Sequence, residues 1–347
     1  MKKKVAVILF NLGGPENLDS VKPFLFNLFN DKAIIQAPKI IRYFLAKFIS
    51  NKREKTAKKI YSHIGGKSPI YDLTLLQANE LEKILRKEKE NYKVFISMRY
   101  WRPFVSTTIS KVKKWNPNKI ILLPLYPQFS TTTSASSINS WYRESKNVFD
   151  NIDTKIICCY PNNNKFIKAH VNKINNKLKE IKIIDKKLEN SILLFSAHGL
   201  PEKIIKKGDP YQYQIELTVK TILKNLNKKI EYKICYQSKV GPLKWIAPST
   251  EDIIIKNAKL NKNIILIPIA FVSEHSETLV ELDIEYKKLA NVNGCNNYYR
   301  ISALGTNNEF MLALSGLIKS QSKSKLLNKR VCPPSCIKCL YNKERIL

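Results

Sequence analysis

The sequence has no run of about eighteen apolar residues, so nothing in it reads as a membrane span. Its opening, Met1-Lys2-Lys3-Lys4, passes straight into a short apolar strand, without the long apolar region or small-residue cleavage site of an export signal. Seven cysteines in 347 residues are too few for a disulfide scaffold. Together these absences give the expectation of a cytoplasmic protein. Acid is the scarce charge: 28 Asp and Glu stand against 60 Lys and Arg, a formal net charge of +32. Such an excess raises the question of nucleic acid or an anionic membrane. The lysines, however, are scattered among Asn and Ile rather than gathered on one face, and zinc-finger, RNP-type and helix-turn-helix patterns are missing. Nucleic acid is therefore not expected as a partner.

What is present suits a globular α/β chain, long enough for two domains of about 150 residues each. The stretch Ser191 to Pro201, SILLFSAHGLP, is an apolar strand running into a turn that carries His198. Ligands of open α/β sheets bind outside the carboxyl ends of the strands, so a titratable side chain there is placed for chemistry. A histidine satisfied by local hydrogen bonds is the plainer alternative. The stretch also has a counterpart, because ILFNLGGP at Ile8 to Pro15 matches LLFSAHGLP at Leu193 to Pro201, Phe10 standing for Phe195 and Gly14 for Gly199. VFISMRYWRP at Val94 to Pro103 resembles KICYQSKVGP at Lys233 to Pro242, and NKIILLPLYPQFSTTT at Asn118 to Thr133 resembles KNIILIPIAFVSEHSE at Lys262 to Glu277. Three strand-and-loop units recurring in order predict two similar Rossmann-like halves, each a parallel sheet with helices between its strands.

The first half carries extra sequence around residues 34–68. There Ile34, Ile35, Ile40, Ile41, Phe44, Leu45, Phe48 and Ile49 supply apolar surface, and Lys39, Arg42, Lys47, Lys52 and Arg53 supply charge. Such an insertion reads either as a lip for a greasy substrate or an anionic membrane surface, or as an amphipathic helix packed on the core. The expected organisation is an N-terminal half over residues 1–150, a C-terminal half over 151–320, and a cysteine-containing tail over 321–347.

A second informative stretch is Phe271 to Tyr286, FVSEHSETLVELDIEY, which follows a buried strand and opens a helix. Glu277, Glu281 and Glu285 are each four apart and so share one helix face, with Glu274 and His275 at its start. A solvated acidic face is the ordinary explanation. In a chain short of acid, a carboxylate row leading from a strand end also reads as a path for a divalent cation, since borderline metals accept mixed imidazole and carboxylate ligands.

These residues, with several other motifs, give the chain a resemblance to the ferrochelatases, which insert ferrous iron into a porphyrin at the end of haem synthesis. It is carried by LFNLGGP at Leu9 to Pro15, GGKSPI at Gly65 to Ile70, SMRYWRP at Ser97 to Pro103 and PLYPQFSTTT at Pro124 to Thr133. It continues through SAHGLP at Ser196 to Pro201, GDPY at Gly208 to Tyr211, YQSKVGPLKWIAPST at Tyr236 to Thr250 and SEHSETLVELDIEY at Ser273 to Tyr286. The resemblance implies the two-domain chelatase fold, each half a four-stranded parallel sheet flanked by helices. It implies that His198 and Glu277 face each other as the catalytic, iron-site residues, with His275, Glu281 and Glu285 extending the Fe2+ path toward the surface. Tyr71, Arg99, Tyr100, Tyr211 and Trp245 are implied to position the macrocycle. Protoporphyrin IX and Fe2+ would be the substrates, and peripheral contact with the inner membrane surface would suit them. A chelatase for another tetrapyrrole, such as coproporphyrin, and a porphyrin or haem carrier without turnover are the competing readings.

The tail holds Cys332, Cys336 and Cys339 in a CxxxCxxC pattern, which in a cytosolic chain favours zinc or an iron–sulfur cluster over disulfides. Family members with such a tail hold a [2Fe-2S] cluster with a fourth cysteine elsewhere. Here the PQFS loop has Thr131 where the animal pattern has cysteine, which leaves Cys158 or Cys159 as the next candidate, then Cys235 and Cys295.

Overall fold

The computed structural model describes residues 2–184, 190–226, 228–320, 325–327 and 329–342. The chain forms two compact units. The first comprises Met1–Cys159 with Leu314–Val331, and the second comprises Tyr160–Ala313 with Cys332–Asn342.

The first unit runs β1 (Lys4–Asn11), α1 (Val21–Phe29), α2 (Lys39–Ser62), α3 (Ile70–Leu85), β2 (Asn91–Met98), α4 (Val105–Trp115), β3 (Lys119–Pro124), α5 (Ser134–Ser145) and β4 (Asp153–Ile156). Its strands form an all-parallel sheet in the order β2-β1-β3-β4. Since β4 belongs to this sheet, the first unit reaches past residue 150 to Cys159. Central β1 reads as a continuous apolar run because helices cover both of its faces, and seven of its eight residues are buried. Leu326 bridges to Ile156 in parallel, so a late segment of the chain extends the sheet beyond β4.

The second unit repeats the plan with α6 (Asn164–Ile184), β5 (Ser191–His198), α7 (Glu202–Lys206), α8 (Tyr211–Asn225), β6 (Glu231–Gln237), α9 (Thr250–Ala258), β7 (Asn263–Pro268), α10 (Tyr286–Val292), β8 (Tyr298–Arg300) and α11 (Asn308–Lys319), the last shared with the first unit. Its sheet is again all-parallel, in the order β6-β5-β7-β8. Identical strand orders are the structural form of the motif repeat. The two Rossmann-like halves predicted from sequence are therefore present.

Two elements differ from the sequence expectation in kind. The insertion is one long helix, α2, whose Ala46, Ser50 and Tyr61 are buried while Ile40, Ile41, Phe44, Leu45 and Phe48 stay exposed. One face of the helix packs and another, apolar face stays exposed. The acidic segment is a π-helix over Glu277–Glu285 that continues into α10, not a simple α-helix. Leu282, Tyr286 and Ala290 pack from it against Ile192, Leu194, Ile264 and Leu266 of the sheet. That anchoring offsets the poorer backbone geometry of the wide turn.

Candidate active site

His198 is the last residue of β5, at the carboxyl end of its sheet, and is half-buried where the rest of the strand is buried. Its Nδ1 lies 2.6 Å from the carbonyl oxygen of Gly199. A carbonyl only accepts, so Nδ1 carries a hydrogen, and in the neutral ring Nε2 carries the lone pair. That lone pair faces Glu277, whose Oε2 is 3.9 Å from Nε2. Glu277 Oε2 is itself buried and accepts no hydrogen bond among the described residues. Two acceptors thus confront each other with nothing electropositive between them. A proton or a cation placed there satisfies both, whereas an unfilled gap leaves an uncompensated buried carboxylate oxygen.

Glu277 is placed by the turn before it. His275 is buried, lies edge-on to Phe271 at 4.4 Å, and accepts the Glu277 backbone N–H on Nδ1 at 3.0 Å. Burial lowers its pKa, which favours the neutral ring that this acceptor role requires. His275 therefore caps the first turn through Nδ1. Glu281 is likewise engaged: it accepts from Gln237 Nε2 at 3.1 Å, from the Ser238 N–H at 3.0 Å and hydroxyl at 2.6 Å, and from the Tyr286 hydroxyl at 3.0 Å. The Tyr286 bond spans five residues, the repeat at which a π-helix aligns its side chains. Ser238 adopts a left-handed φ of 62°, and this strained backbone aims both of its donors at one carboxylate. Burial, then the neighbouring Glu277, raises the Glu281 pKa. Glu285, the next carboxylate in the row, is exposed.

Of the five residues expected to hold or conduct iron, His198 and Glu277 face each other, His275 and Glu281 are engaged in hydrogen bonds, and Glu285 is exposed. Among the described residues no three His, Cys, Asp or Glu side chains are grouped closely enough to hold a metal ion. The tail cysteines Cys332, Cys336 and Cys339 are buried, as is Cys158. Cys332 Sγ accepts from Gln214 Nε2 at 2.9 Å, and the Lys338 N–H bonds the Gly208 carbonyl at 3.0 Å. The tail packs closely enough there that a Cβ on Gly208 would lie 2.4 Å from Ile337.

Around His198, the Trp245 ring lies 6.2 Å from the imidazole and tilts by 45°. This approach depends on Gly199, because a Cβ there would come within 3.0 Å of both the Gln237 carbonyl and Trp245 Cε3. Tyr211 is buried at the start of α8, and burial together with nearby Tyr236 and Glu277 keeps its phenol protonated.

In the first unit, Arg99 follows β2 and pairs with Asp31, Nη2 to Oδ2 at 2.8 Å. Tyr100 is 1% exposed and packs with Val21, Phe24, Leu25, Tyr61 and Trp101, so it is a core residue and not a ring lining a substrate surface. Tyr71 lines a recess of about 510 Å³ between α3, β2 and α4, with Phe95, Lys111 and Trp115, away from Arg99.

The ferrochelatase family model matches residues 4–322. The chain belongs to the ferrochelatase family. The Pelagibacter ubique ferrochelatase is 54% identical over 342 residues, covering 98% of this chain and 97% of that protein. The Rickettsia felis ferrochelatase is 52% identical, with 98% of each covered. Among solved structures, SirB from Bacillus subtilis with Fe3+ matches with a TM-score of 0.54 at 12% identity, over 92% of this chain and 95% of that one. At that identity the likeness establishes the chelatase fold alone.

Sequence reasoning about this ferrochelatase missed Gln237 and Ser238, although both stand in the YQSKVGP motif, and it missed Arg300. Arg300 forms a two-pronged pair with Asp283, both contacts at 2.6 Å, and a second with Glu274 at 2.8 and 3.0 Å. It fixes the π-helix and the turn before it to β8. No local pattern marks such a residue.

Proposed function

We propose that this ferrochelatase inserts Fe2+ into protoporphyrin IX to form protohaem, with His198 and Glu277 as its catalytic residues. The supporting observation is the 3.9 Å gap between the His198 Nε2 lone pair and the unsatisfied Glu277 Oε2. Insertion requires two pyrrole N–H protons to leave and a divalent ion to exchange water for ring nitrogens. His198 Nε2 accepts a proton, held in the right tautomer by Gly199, and Glu277 balances the positive charge that arrives. A site of only two open donors suits iron as a substrate, because iron must leave it for the ring. Trp245 and Tyr211 supply an aromatic wall for the macrocycle.

The test is anaerobic incubation of the purified protein with protoporphyrin IX and Fe2+, following loss of porphyrin fluorescence and gain of haem absorbance. Turnover in the wild type, lost in both His198→Ala and Glu277→Gln, is the expected result. Binding without turnover in the wild type would favour a carrier, and turnover of coproporphyrin alone would change the substrate.

Peripheral membrane contact is supported by α2, where Ile40, Phe44 and Phe48 are 73%, 64% and 64% exposed beside Lys39, Lys47 and Lys52. No helix among the described residues is long and apolar enough to cross a membrane. Phe44→Glu with Phe48→Glu should abolish cosedimentation with anionic vesicles, and unchanged cosedimentation would refute the contact. A [2Fe-2S] centre on the tail is supported by the cysteine spacing only, and no step above runs through it. It requires iron and sulfide in equal amounts after anaerobic purification.

A further inference from the structure

β2 is an edge strand of the first sheet, with β1 on one side and no strand on the other among the described residues. The register fixes which of its backbone groups face outward. The Asn91 N–H bonds the Lys3 carbonyl and the Arg99 N–H bonds the Asn11 carbonyl, so the odd-numbered residues serve β1, and Val94, Ile96 and Met98 turn their backbone groups away from it. An uncovered rim of this kind is a template for a further strand. Three of its groups are occupied from within the unit. The Val94 N–H donates to Glu82 Oε2 at 3.0 Å, the Ile96 carbonyl accepts from Thr108 Oγ1 at 2.7 Å, and the Met98 N–H donates to the Pro103 carbonyl at 2.8 Å. The Val94 carbonyl and the Ile96 N–H have no hydrogen-bond partner among the described residues. That pair opens onto the recess of about 510 Å³ between α3, β2 and α4, whose lining includes Val94, Phe95 and Ile96.

The two walls of the recess differ. The chain crosses the sheet from β1 to β2 in one direction and from β2 to β3 in the other, so right-handed crossovers put α3 and α4 on opposite faces. α3 supplies an apolar wall with Leu75 and Ala78, whereas α4 supplies Lys111 and Lys114. Phe95 faces the α4 wall, edge-on to Trp115 at 5.8 Å, and Lys93 Nζ lies 5.6 Å from its ring centroid. No acidic residue lines the recess. Lysine is common over this surface; an open backbone pair between a lysine wall and an apolar wall is what singles out this place.

The open pair also selects a direction. A parallel neighbour uses the carbonyl of one residue and the N–H two residues on, which is the pair left free, whereas an antiparallel partner opposite Val94 or Ile96 needs a group already taken. A second copy of this chain is a poor occupant, since two β2 edges meeting in antiparallel fashion would lack those groups and would set lysines against lysines. We propose that the recess docks an extended acidic segment of a partner protein as a parallel strand beside β2. The docked residue opposite Phe95 donates its N–H to the Val94 carbonyl and accepts the Ile96 N–H. Its side chain shares the face of Phe95 and so meets the lysine wall, while its two neighbours point to the apolar wall. The segment therefore alternates acidic and apolar residues, and charge and pleat together give its specificity.

The probe is a blocked peptide, Val-Glu-Val-Glu-Val, titrated into the full chain by calorimetry. Saturable binding is expected, weakened at least about tenfold when both glutamate nitrogens are methylated and changed less than about threefold when two valine nitrogens are methylated instead, because only the glutamate N–H groups face β2. Lys111→Glu with Lys114→Glu should weaken binding by a similar factor, and the same peptide with lysine for glutamate should not bind. Ile96→Pro removes the open donor without touching the ladder to β1 and should also weaken binding about tenfold. The methylated peptides act on the unaltered protein, so the test stands even where that variant fails to fold. Absence of saturable binding up to about 1 mM overturns the proposal. Equal effects of the two methylation patterns overturn it as well, since acid would then be attracted by the lysines without adding a strand.

Discussion

Acid should act on the second unit through one buried histidine that the proposed chemistry does not use. His170 on α6 is 3% exposed, lies edge-on to Phe166 at 4.8 Å, and has a buried Nε2 with no hydrogen-bond partner among the described residues. Burial, with Lys173 adding a smaller repulsion, lowers its pKa to about 3 from an unfolded value of 6.5. Between those values the unfolded chain binds a proton that the folded chain refuses, so the stability contributed by neutral His170 is complete above about pH 6.5 and is lost as pH falls toward 3. At pH 4.5 the interval traversed is two units, and at about 1.36 kcal/mol per unit the loss is about 2.7 kcal/mol. The test compares wild type with His170→Leu by urea unfolding at pH 7.5 and pH 4.5. Other groups, His275 among them, titrate in both proteins and cancel in the difference. The wild type should lose about 2.7 kcal/mol more than the variant over this interval. Equal losses would mean that His170 is either charged in the folded protein or reached by water, and the argument from burial would fail.

Two further substitutions probe the supports of the site. Arg300→Met strands Glu274 and Asp283 and should destabilise the second unit by about 3 kcal/mol in urea unfolding, with activity falling as the π-helix loses its tie to β8; a loss below about 0.5 kcal/mol would show the double pair to be dispensable. Gly199→Ala places a methyl group 3.0 Å from the Gln237 carbonyl and Trp245 Cε3, so kcat should fall at least about tenfold with circular dichroism unchanged, and wild-type turnover would show that the loop has slack.

The sequence by itself determined the architecture and brought forward the proposed centre of the chemistry. Apolar strands at Val5 to Phe10, Ile192 to Phe195 and Ile264 to Pro268 are buried on both faces, so their hydrophobic runs are unbroken and easy to read. Recurrence of the loops that follow them revealed two halves, and the sheets share one strand order as a result. His198 and Glu277 were legible because each stands beside a strand end in a distinctive local motif. Tertiary structure decided which of their neighbours act with them. Tyr100, His275 and Glu281 belong to the same motifs, yet the first packs into a core and the other two spend their polar atoms on the turn and the π-helix. The wide helical turn is itself a tertiary outcome: the i, i+4 spacing of Glu277, Glu281 and Glu285 fits an α-helix equally well, and the bonds from Ser238 and Arg300 come from elsewhere in the chain. Asp31 and Ser136 meet Arg99 only because loops distant in sequence converge beside one sheet. Periodicity records which face of an element is buried, and it carries no record of which distant group a buried carboxylate will find.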